Sequence, residues 1–599
     1  MKAIIFNSGL GQRMGEMTKN NHKSMVKLYS GETIFERQIR LLSESGIKDF
    51  VITTGPYEDQ LISVTKKPAY SDCRFTFVNN PIYDKTNYIY SLYLAKEKID
   101  DDFLILHGDL VFNTEVVDYI LNAPFPSTCL INKEKALPDK DFKGRIEDGK
   151  LTEVSINIFD ENCFTFQPFY KLDRATFGAW IERVSEFIEI RGIDKVYAEN
   201  ALNEIAKTLN IVPLSYAEHY VEEIDNMDDY KRVCAEIEEF DAKSQAITSD
   251  FNTVADYFKK KRLTKPFVVL DAFLLGTDIC ERIKSFASPV FFTDFHPNPS
   301  YEDVKIARDL LIRESCDSII SIGGGSAIDT AKAVKLFLPL SDKESFLEQE
   351  HVYINFPHVA IPTTAGTGSE STKFSVIYYE GQKQSLTNPS LIPELVLLRP
   401  EFLATLPQRQ KAATMLDALS QATESLWARK SSPSSAKYAR EAIRIILQNY
   451  ARYMACEEES FAPIQRGANL AGKAINLTAT TAAHAMSYKI TSIFGIPHGA
   501  AVAMCMIPVW KAYNERYSED VNSAATIKGI TEAYGTKTIE EAFAIFDKIC
   551  TDVGLEKKIA ITDSELKILT DEVNPERLKN FPLDLSREDV EKMYTEVAK

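Results

Sequence analysis

IISIGGGSAIDTAKAVK, residues 319–335, joins a short apolar run to three consecutive glycines and then to a segment with helical spacing. Such a turn leaves unpaired backbone amides and the positive end of a helix dipole at the carboxyl end of a strand. No side chain blocks the approach, so the turn suits a pyrophosphate. The spacing is not the GxGxxG fingerprint. A second loop supports it: PTTAGTGSE, residues 362–370, is again rich in glycine and hydroxyls and follows an apolar run. Outward from these loops the rhythm predicts strand Phe267–Leu270, a helix around 277–286, strand Pro289–Thr293, helix 301–315 and strand Ser318–Ile322. That alternation predicts an α/β lobe with a mostly parallel sheet and its site at the strand carboxyl ends. Beyond about residue 400 the pattern turns almost wholly helical.

Within the helical part, TTAAHAMSYKITSIFGIPHG (480–499) places His484 and His498 fourteen residues apart, in a chain with eight histidines. Two histidines at this spacing, the second followed by glycine, read as metal ligands. Gln421 follows Asp417 by one helical turn, so both face the same way. Its amide oxygen is a harder, weaker ligand than imidazole. Asp294 ends strand Pro289–Thr293. An acid there could accept from an adenosine ribose 2′-hydroxyl and repel a 2′-phosphate, which leans to NADH over NADPH. A plain turn-starting role for Asp294 stays open.

The first 235 residues repeat an α/β rhythm of their own. Ala3–Phe6 reads as a strand, followed by NSGLGQRMG (7–15), a glycine-rich turn able to wrap phosphate oxygens, with Arg13 and Lys23 adding charge. Thr33–Ser43 has helical spacing, with Ile34, Ile39, Leu41 and Leu42 for one face. Phe50–Thr53 and Phe103–Leu106 read as strands and Tyr88–Ala95 as a helix. Asp109 directly ends the Phe103 strand, where a carboxylate suits a hard cation. Asp228–Lys243 reads as a helix. The polar stretch after it, with its basic knot Lys259–Arg262, reads as a seam between domains.

Composition bounds the rest. At 599 residues, 45% hydrophobic and 26% charged, the chain exceeds one ordinary domain. A net charge of −17 argues against a nucleic-acid or anionic-membrane partner. Nine scattered cysteines without a CxxC pair read as free thiols of a reducing cytoplasm. MKAIIF reads as a buried first strand and not a signal peptide. No stretch approaches the ~18 unbroken apolar residues of a membrane span. A cytoplasmic protein is expected.

Two resemblances sharpen these readings. GLGQRM, Lys23-Ser24, Glu36-Arg37-Gln38, Thr86-Asn87 with IYSLYLA (89–95), HGDLVF (107–112) and EIDNMDDY (223–230) closely resemble the sugar-phosphate nucleotidyltransferases, specifically the cytidylyltransferases that activate phosphocholine and small phosphonates. The resemblance implies that Ser8, Gly9, Gly11 and Arg13 hold a triphosphate and Lys23 neutralises it. It further implies that Asp109 and Asp225 hold Mg²⁺, and that Thr86, Asn87 and Ser91 lie near the nucleoside or acceptor. His22 stands where that family usually has proline, so altered loop stiffness is expected. Residues 266–599 resemble the iron-containing alcohol dehydrogenases through GGGS, PTTAGTGSE and IPHG. This implies NAD(P) binding by Gly324, Gly325, Ser326, Thr363, Thr364 and Thr367, and Fe²⁺ or another divalent ion held by Asp417, Gln421, His484 and His498. Gln421 departs from the usual histidine. MLDALSQATESLW (415–427) and residues 480–499 are similar to the phosphonoacetaldehyde reductase branch, where such a glutamine is expected. Tyr488 stands where many relatives carry a second histidine near the metal.

The expected fold class is therefore α/β. A Rossmann-like nucleotidyltransferase domain (1–235) and a linker (236–265) precede an NAD(P)-binding α/β lobe (266–400) and a helical metal-binding lobe (401–599). The expected function is reduction of phosphonoacetaldehyde followed by CTP-dependent capping of the 2-hydroxyethylphosphonate formed, in a homodimer. Two alternatives stay open. One is reduction of a ketose or triose phosphate coupled to CDP-polyol synthesis. In the other, one half is a catalytically inactive binding or assembly module.

Overall fold

The computed structural model describes residues 1–9, 11–217, 219–243 and 245–599. It is mixed α/β and divides into two units, Met1–Ser244 and Gln245–Lys599.

In the first unit the strands are β1 (Lys2–Asn7), β2 (Asp49–Thr54), β3 (Arg74–Asn79), β4 (Phe103–His107), β5 (Leu110–Phe112), β6 (Thr128–Asn132), β7 (Lys143–Glu147), β8 (Lys150–Ser155), β9 (Cys163–Leu172), β10 (Val212–Ser215) and β11 (Val221–Glu223). The main sheet runs β10-β6-β9-β4-β1-β2-β3, with hairpin β7–β8 attached to β9. β1 lies parallel to both β2 and β4, and its apolar run Ala3–Phe6 is buried, as a parallel strand covered on both faces requires. The expected helix is Ile34–Glu44. Thr33 caps it in a capping box with Glu36, and Ile34, Ile39, Leu41 and Leu42 are buried. The loops after neighbouring β1 and β4 thus open side by side at the carboxyl edge of the sheet.

The second unit continues with β12 (Ala246–Thr248), β13 (Pro266–Leu270), β14 (Val290–Phe292), β15 (Ser318–Gly323), β16 (His358–Pro362), β17 (Phe374–Tyr379), β18 (Gln382–Thr387) and β19 (Leu395–Leu397). Its six-stranded sheet, β12-β19-β16-β15-β13-β14, is parallel throughout. β17 and β18 form a separate antiparallel hairpin. From Gln408 the chain is helical, around a core that includes Trp427, Trp510, Tyr513 and Phe546.

One expectation about organisation needs correction. The segment 236–265 is not a linker. Its start completes helix Met227–Lys243, β12 pairs in parallel with β19, and helix Asn252–Lys261 buries Val254 and Phe258. A polar composition concealed an edge strand and an amphipathic helix whose apolar residues are few but well spaced. The two lobes expected within the second half pack against each other. The 362–370 loop is locked to helix Phe461–Thr478: Gln465 donates to the Pro362 carbonyl at 2.9 Å and Asn469 to Glu370 at 3.1 Å. Gly368 has a φ of +59°, and a Cβ on it would collide with Gly472 of that helix. Two facing glycines let backbone meet backbone.

Candidate functional site

In the first unit the short ribbon β5–β11 does the positioning. Leu110 pairs with Glu223, and the Ile224 amide donates to the Asp109 carbonyl at 3.1 Å. Asp109 and Asp225 therefore leave the ribbon side by side. Lys23 reaches both: its Nζ is 2.7 Å from Asp109 Oδ2 and 2.7 Å from Asp225 Oδ1. Burial would lower the Lys23 ammonium, but these two carboxylates overcome it and push it above its ordinary value. Gly11, at φ +60°, makes the approach possible, because a Cβ there would lie 2.7 Å from Lys23 Cβ. Arg13 is exposed and donates to Asp225 at 3.2 Å. Gly9 has open space above its backbone. Ser8 is buried and donates to Thr53.

Four of the expected residues, Arg13, Lys23, Asp109 and Asp225, thus converge. The Thr86 hydroxyl donates to the Ile82 carbonyl and accepts from Asn80, while the Asn87 side chain caps helix Tyr88–Leu94. Ser91 is fully buried and accepts from the same Asn80 amide at 3.0 Å. It holds Asn80 from inside. His22 stands just before Lys23 in the same loop. Its ring is buried and bonds to Asn7 O at 2.7 Å and Ser24 Oγ at 2.8 Å, so it pins the loop that proline would have stiffened. Burial lowers its pKa to about 4.

Sequence reading missed three residues here. Asn7 is buried at the end of β1 with both amide atoms unpartnered among the described residues. His107 and Glu223 place ligand atoms within 4.8 Å of one another and of Asp109. Burial raises the Glu223 carboxyl, and the charges of Asp109 and Asp225 add to the rise. Glu223 lies two residues before Asp225 in EIDN, the spacing that points alternate strand residues to one side. A hard divalent cation fits this group. Carboxylates converge from three positions, Asp109 Oδ1 is buried without a partner, and Lys23 already puts one positive charge between two of them.

In the second unit, helix Gly325–Phe337 begins where β15 ends, and its N-cap Gly324 provides no side-chain cap. The first amides are therefore open to an anion. The loop 363–367 covers this turn. Thr363 N donates to Gly323 O at 3.0 Å, and Cβ atoms on Gly324 and Gly325 would touch Thr364 and Thr367. Ser326 accepts from the Asn298 amide at 3.2 Å. Asp294 is exposed just beyond β14, on the strand next to β13. Asp271, at the end of β13, escaped the sequence reading. It accepts from the Gly324 amide, and a Cβ on Gly323 would strike its carboxylate.

The metal-ligand candidates come from three helices: Gln408–Trp427, Ala482–Phe494 and His498–Arg516. Asp417 Oδ1 lies 3.3 Å from His484 Nε2 and 4.0 Å from His498 Nε2. Gly499 explains IPHG: a Cβ there would lie 2.6 Å from Asp417 Cβ and closer still to the Ala413 carbonyl, so only glycine lets His498 reach the cluster. Asp417 Oδ1, Gln421 Oε1 and His484 Nε2 are all buried without hydrogen-bond partners among the described residues. Three acceptor-type atoms orphaned together fit a cation, since unpaired buried polar atoms are costly otherwise. The Gln421 amide nitrogen donates to the Thr367 carbonyl at 3.4 Å, which ties the cluster to the covering loop.

Glu424 was missed. It lies one further turn along the face of Asp417 and Gln421 and binds His484 Nδ1, as well as the Thr481 hydroxyl at 2.7 Å. This carboxylate–imidazole pair fixes the ring with Nε2 toward the cluster. Burial would lower the His484 imidazole, yet Glu424 and Asp417 raise it to about 10. Burial takes His498 down to about 4. Tyr488 stacks on His498 at 5.9 Å.

Known proteins repeat this division. Residues 248–400 match the iron-containing alcohol dehydrogenase family and residues 411–598 its C-terminal domain, while residues 3–137 match the MobA-like NTP transferase domain. Aldehyde-alcohol dehydrogenase 2 of Entamoeba histolytica is 30% identical over 47% of this chain, which spans only 37% of that protein. Long-chain-alcohol dehydrogenase 1 of Geobacillus thermodenitrificans is 30% identical, covering 51% of this chain and 80% of its own. Sulfoacetaldehyde reductase from Bifidobacterium kashiwanohense, solved with NAD⁺, shares the fold at 24% identity and a TM-score of 0.55, over 59% of this chain and 96% of that one. Among the described residues no helix is long and apolar enough to cross a membrane.

Proposed function

Because the chain belongs to the iron-containing alcohol dehydrogenase family through residues 248–598 and carries an NTP transferase domain at residues 3–137, it is a bifunctional enzyme, and we propose that its two sites act in turn on one small phosphonate. The first reaction is reduction of phosphonoacetaldehyde by NAD(P)H and a proton, giving 2-hydroxyethylphosphonate. The second joins a phosphonate oxygen to the α-phosphorus of CTP and expels pyrophosphate. The observation that carries this reading is the presence of both sites in one chain. A site that makes an alcohol and a site that caps an anion belong together when one molecule bears both groups. Tethering raises local concentration without implying a channel.

At the reductase site, the open amides at the start of helix Gly325–Phe337 hold the dinucleotide pyrophosphate where the backbone of Gly324 and Gly325 lets it approach, with Ser326, Thr363, Thr364 and Thr367 around it and Asp294 toward the adenosine ribose, favouring NADH. Asp417, His484, His498 and Gln421 would hold Fe²⁺ or another divalent ion, which supplies Lewis-acid polarisation of the aldehyde oxygen. Glu424 keeps the His484 ring oriented, and helix Gln408–Trp427 keeps Asp417 and Gln421 buried. At the transferase site, Asp109 and Asp225 would hold Mg²⁺, which supplies charge neutralisation at the phosphates. Ser8, Gly9, Gly11 and Arg13 line the triphosphate, Thr86 and Asn87 border the nucleoside pocket, and Lys23 offsets the charge that grows on the leaving pyrophosphate. The working form is a cytoplasmic homodimer, which light scattering of the purified protein checks.

Phosphorus NMR tests the order of events. Enzyme, phosphonoacetaldehyde, NAD(P)H and CTP are expected to give first the hydroxyethylphosphonate resonance and then a CMP-linked phosphonate. Oxidation of NAD(P)H without any cytidylylated product would sink the coupled reading. Turnover of a triose phosphate to a CDP-polyol would replace the substrate.

A further inference from the structure

Beside the Asp417–His484–His498 cluster stand two cations to which the chain gives no carboxylate. Lys383 lies on β18, opposite Tyr378 of β17, and Phe374 opposes Thr387. Directly opposed residues share a face, and alternate residues return to it. Phe374, Tyr378 and Lys383 therefore occupy one side of the hairpin. The other side carries Ser375 and Ile377, which are buried, Ser375 bonding to the Asp329 carbonyl of helix Gly325–Phe337. Lys383 thus points away from the core, and its ammonium sits 3.3 Å over the ring centroid of Tyr488. That ring stacks on His498 at 5.9 Å and 17°. Arg577, on the short helix Pro575–Lys579, places its guanidinium 5.4 Å from the Phe374 ring, on the same hairpin face.

Both groups are half-buried, and among the described residues neither has a carboxylate within ion-pairing distance. The Tyr488 hydroxyl bonds to Lys383, and Asp329, a carboxylate whose charge reaches Lys383, is already engaged by the Ser369 hydroxyl at 2.5 Å and the Val376 amide at 3.1 Å. Acids outnumber bases in this chain, 86 to 69. Two neighbouring cations without acids are therefore not explained by general composition. Half-buried cations that have aromatic neighbours but no carboxylate partner are poised for an anionic ligand.

We propose that Lys383 and Arg577 form an anion subsite of the reductase, which grips the phosphonate head of the aldehyde and leaves its carbonyl at the His484–His498 cluster. The proposal rests on the reductase reading above and adds the residues that select acid-headed aldehydes over neutral ones. Arg577 supplies the planar fork that meets two phosphonate oxygens at once, and Lys383 supplies a point charge. A two-carbon acid fits the layout. Its head lies over Tyr488, and the next ring along is the imidazole of His498.

The test compares Arg577→Leu, Arg577→Lys and Lys383→Met with the wild-type chain on phosphonoacetaldehyde, propionaldehyde and NAD(P)H. Truncating one partner of a charged pair of this kind costs about 30-fold or more in binding. Arg577→Leu is therefore expected to raise the KM for phosphonoacetaldehyde by about that factor and to lower the preference for the acid-headed over the neutral aldehyde equally. Arg577→Lys recovers part of the loss, and Lys383→Met shifts the preference in the same direction. Calorimetric binding of 2-hydroxyethylphosphonate, which needs no turnover, weakens in parallel. The subsite is overturned if the variants lose both aldehydes equally, or if only the KM for the cofactor moves. A wild-type enzyme with no preference for the acid-headed aldehyde defeats the reductase reading itself. A wild-type preference that survives in Arg577→Leu defeats the subsite alone.

Discussion

The transferase and reductase sites both gather cation-binding side chains from distant positions, but they balance charge in opposite ways. At the transferase site Lys23 already bridges Asp109 and Asp225, and Arg13 reaches Asp225 from solvent. At the reductase site Asp417 Oδ1, Gln421 Oε1 and His484 Nε2 meet in a packed interior with no partner of their own. The first site holds its counter-ion, Lys23, within the chain. The second relies on a resident cation. The contrast follows from location. A ribbon and a loop at a sheet edge leave room for side chains to move, whereas three packed helices do not.

The largest effect that tests the contrast is expected from Asp417→Ala. It removes the shared oxygen of the reductase cluster. Aldehyde reduction should fall by about 10³-fold or more, the scale of losing several kcal/mol of carbonyl polarisation, and bound metal should disappear in elemental analysis. Cytidylyl transfer in the same protein should persist; its loss would mean that the two sites do not work separately. Lys23→Ala is the mirror experiment. Removing one charge-stabilising donor should lower CTP turnover by about 10²–10³-fold, with aldehyde reduction retained. Unchanged CTP turnover would refute the role given to Lys23. Glu424→Gln touches no substrate. It should weaken metal affinity by about 10–100-fold, read by competition with a chelator.

The smallest effect is on stability. His22 is held at about 4, against 6.5 when unfolded. Between those values the unfolded chain binds the extra proton, so stability is complete above about pH 6.5 and declines as the pH falls toward 4. The difference amounts to about 3 kcal/mol at ~1.4 kcal/mol per pH unit. Urea unfolding of the first unit across pH 4–7 should show this slope, and His22→Asn should flatten it. An unaltered slope in the variant would assign the acid sensitivity elsewhere.

Much of both sites was legible because the chemistry is local. The GGGS and PTTAGTGSE loops announce themselves within a few residues, since unhindered amides need glycine there whatever surrounds them. His484 and His498 are close in sequence, and Asp417 and Gln421 are a turn apart on one helix. Glu424 continues the same face, and that spacing could have exposed it. His107 and Glu223 gave a weaker hint, through the alternation in HGD and EID. By contrast the stretch 236–265 misled, because few apolar residues suffice for an edge strand and a half-buried helix when the partner strand, β19, is far along the chain.

What the sequence determined by itself is the pair of folds, the two glycine-rich turns and the identity of most groups around them, because period, glycine placement and short spacings act over single turns and strands. The tertiary structure decided which of those groups meet. Lys23 clamps carboxylates brought together by a short ribbon, Gly499 admits His498 to Asp417, and Lys383 and Arg577 are gathered around one tyrosine. Such meetings depend on packing between elements remote in sequence, where a clash at a single Cβ settles whether two side chains touch, and no local pattern records that.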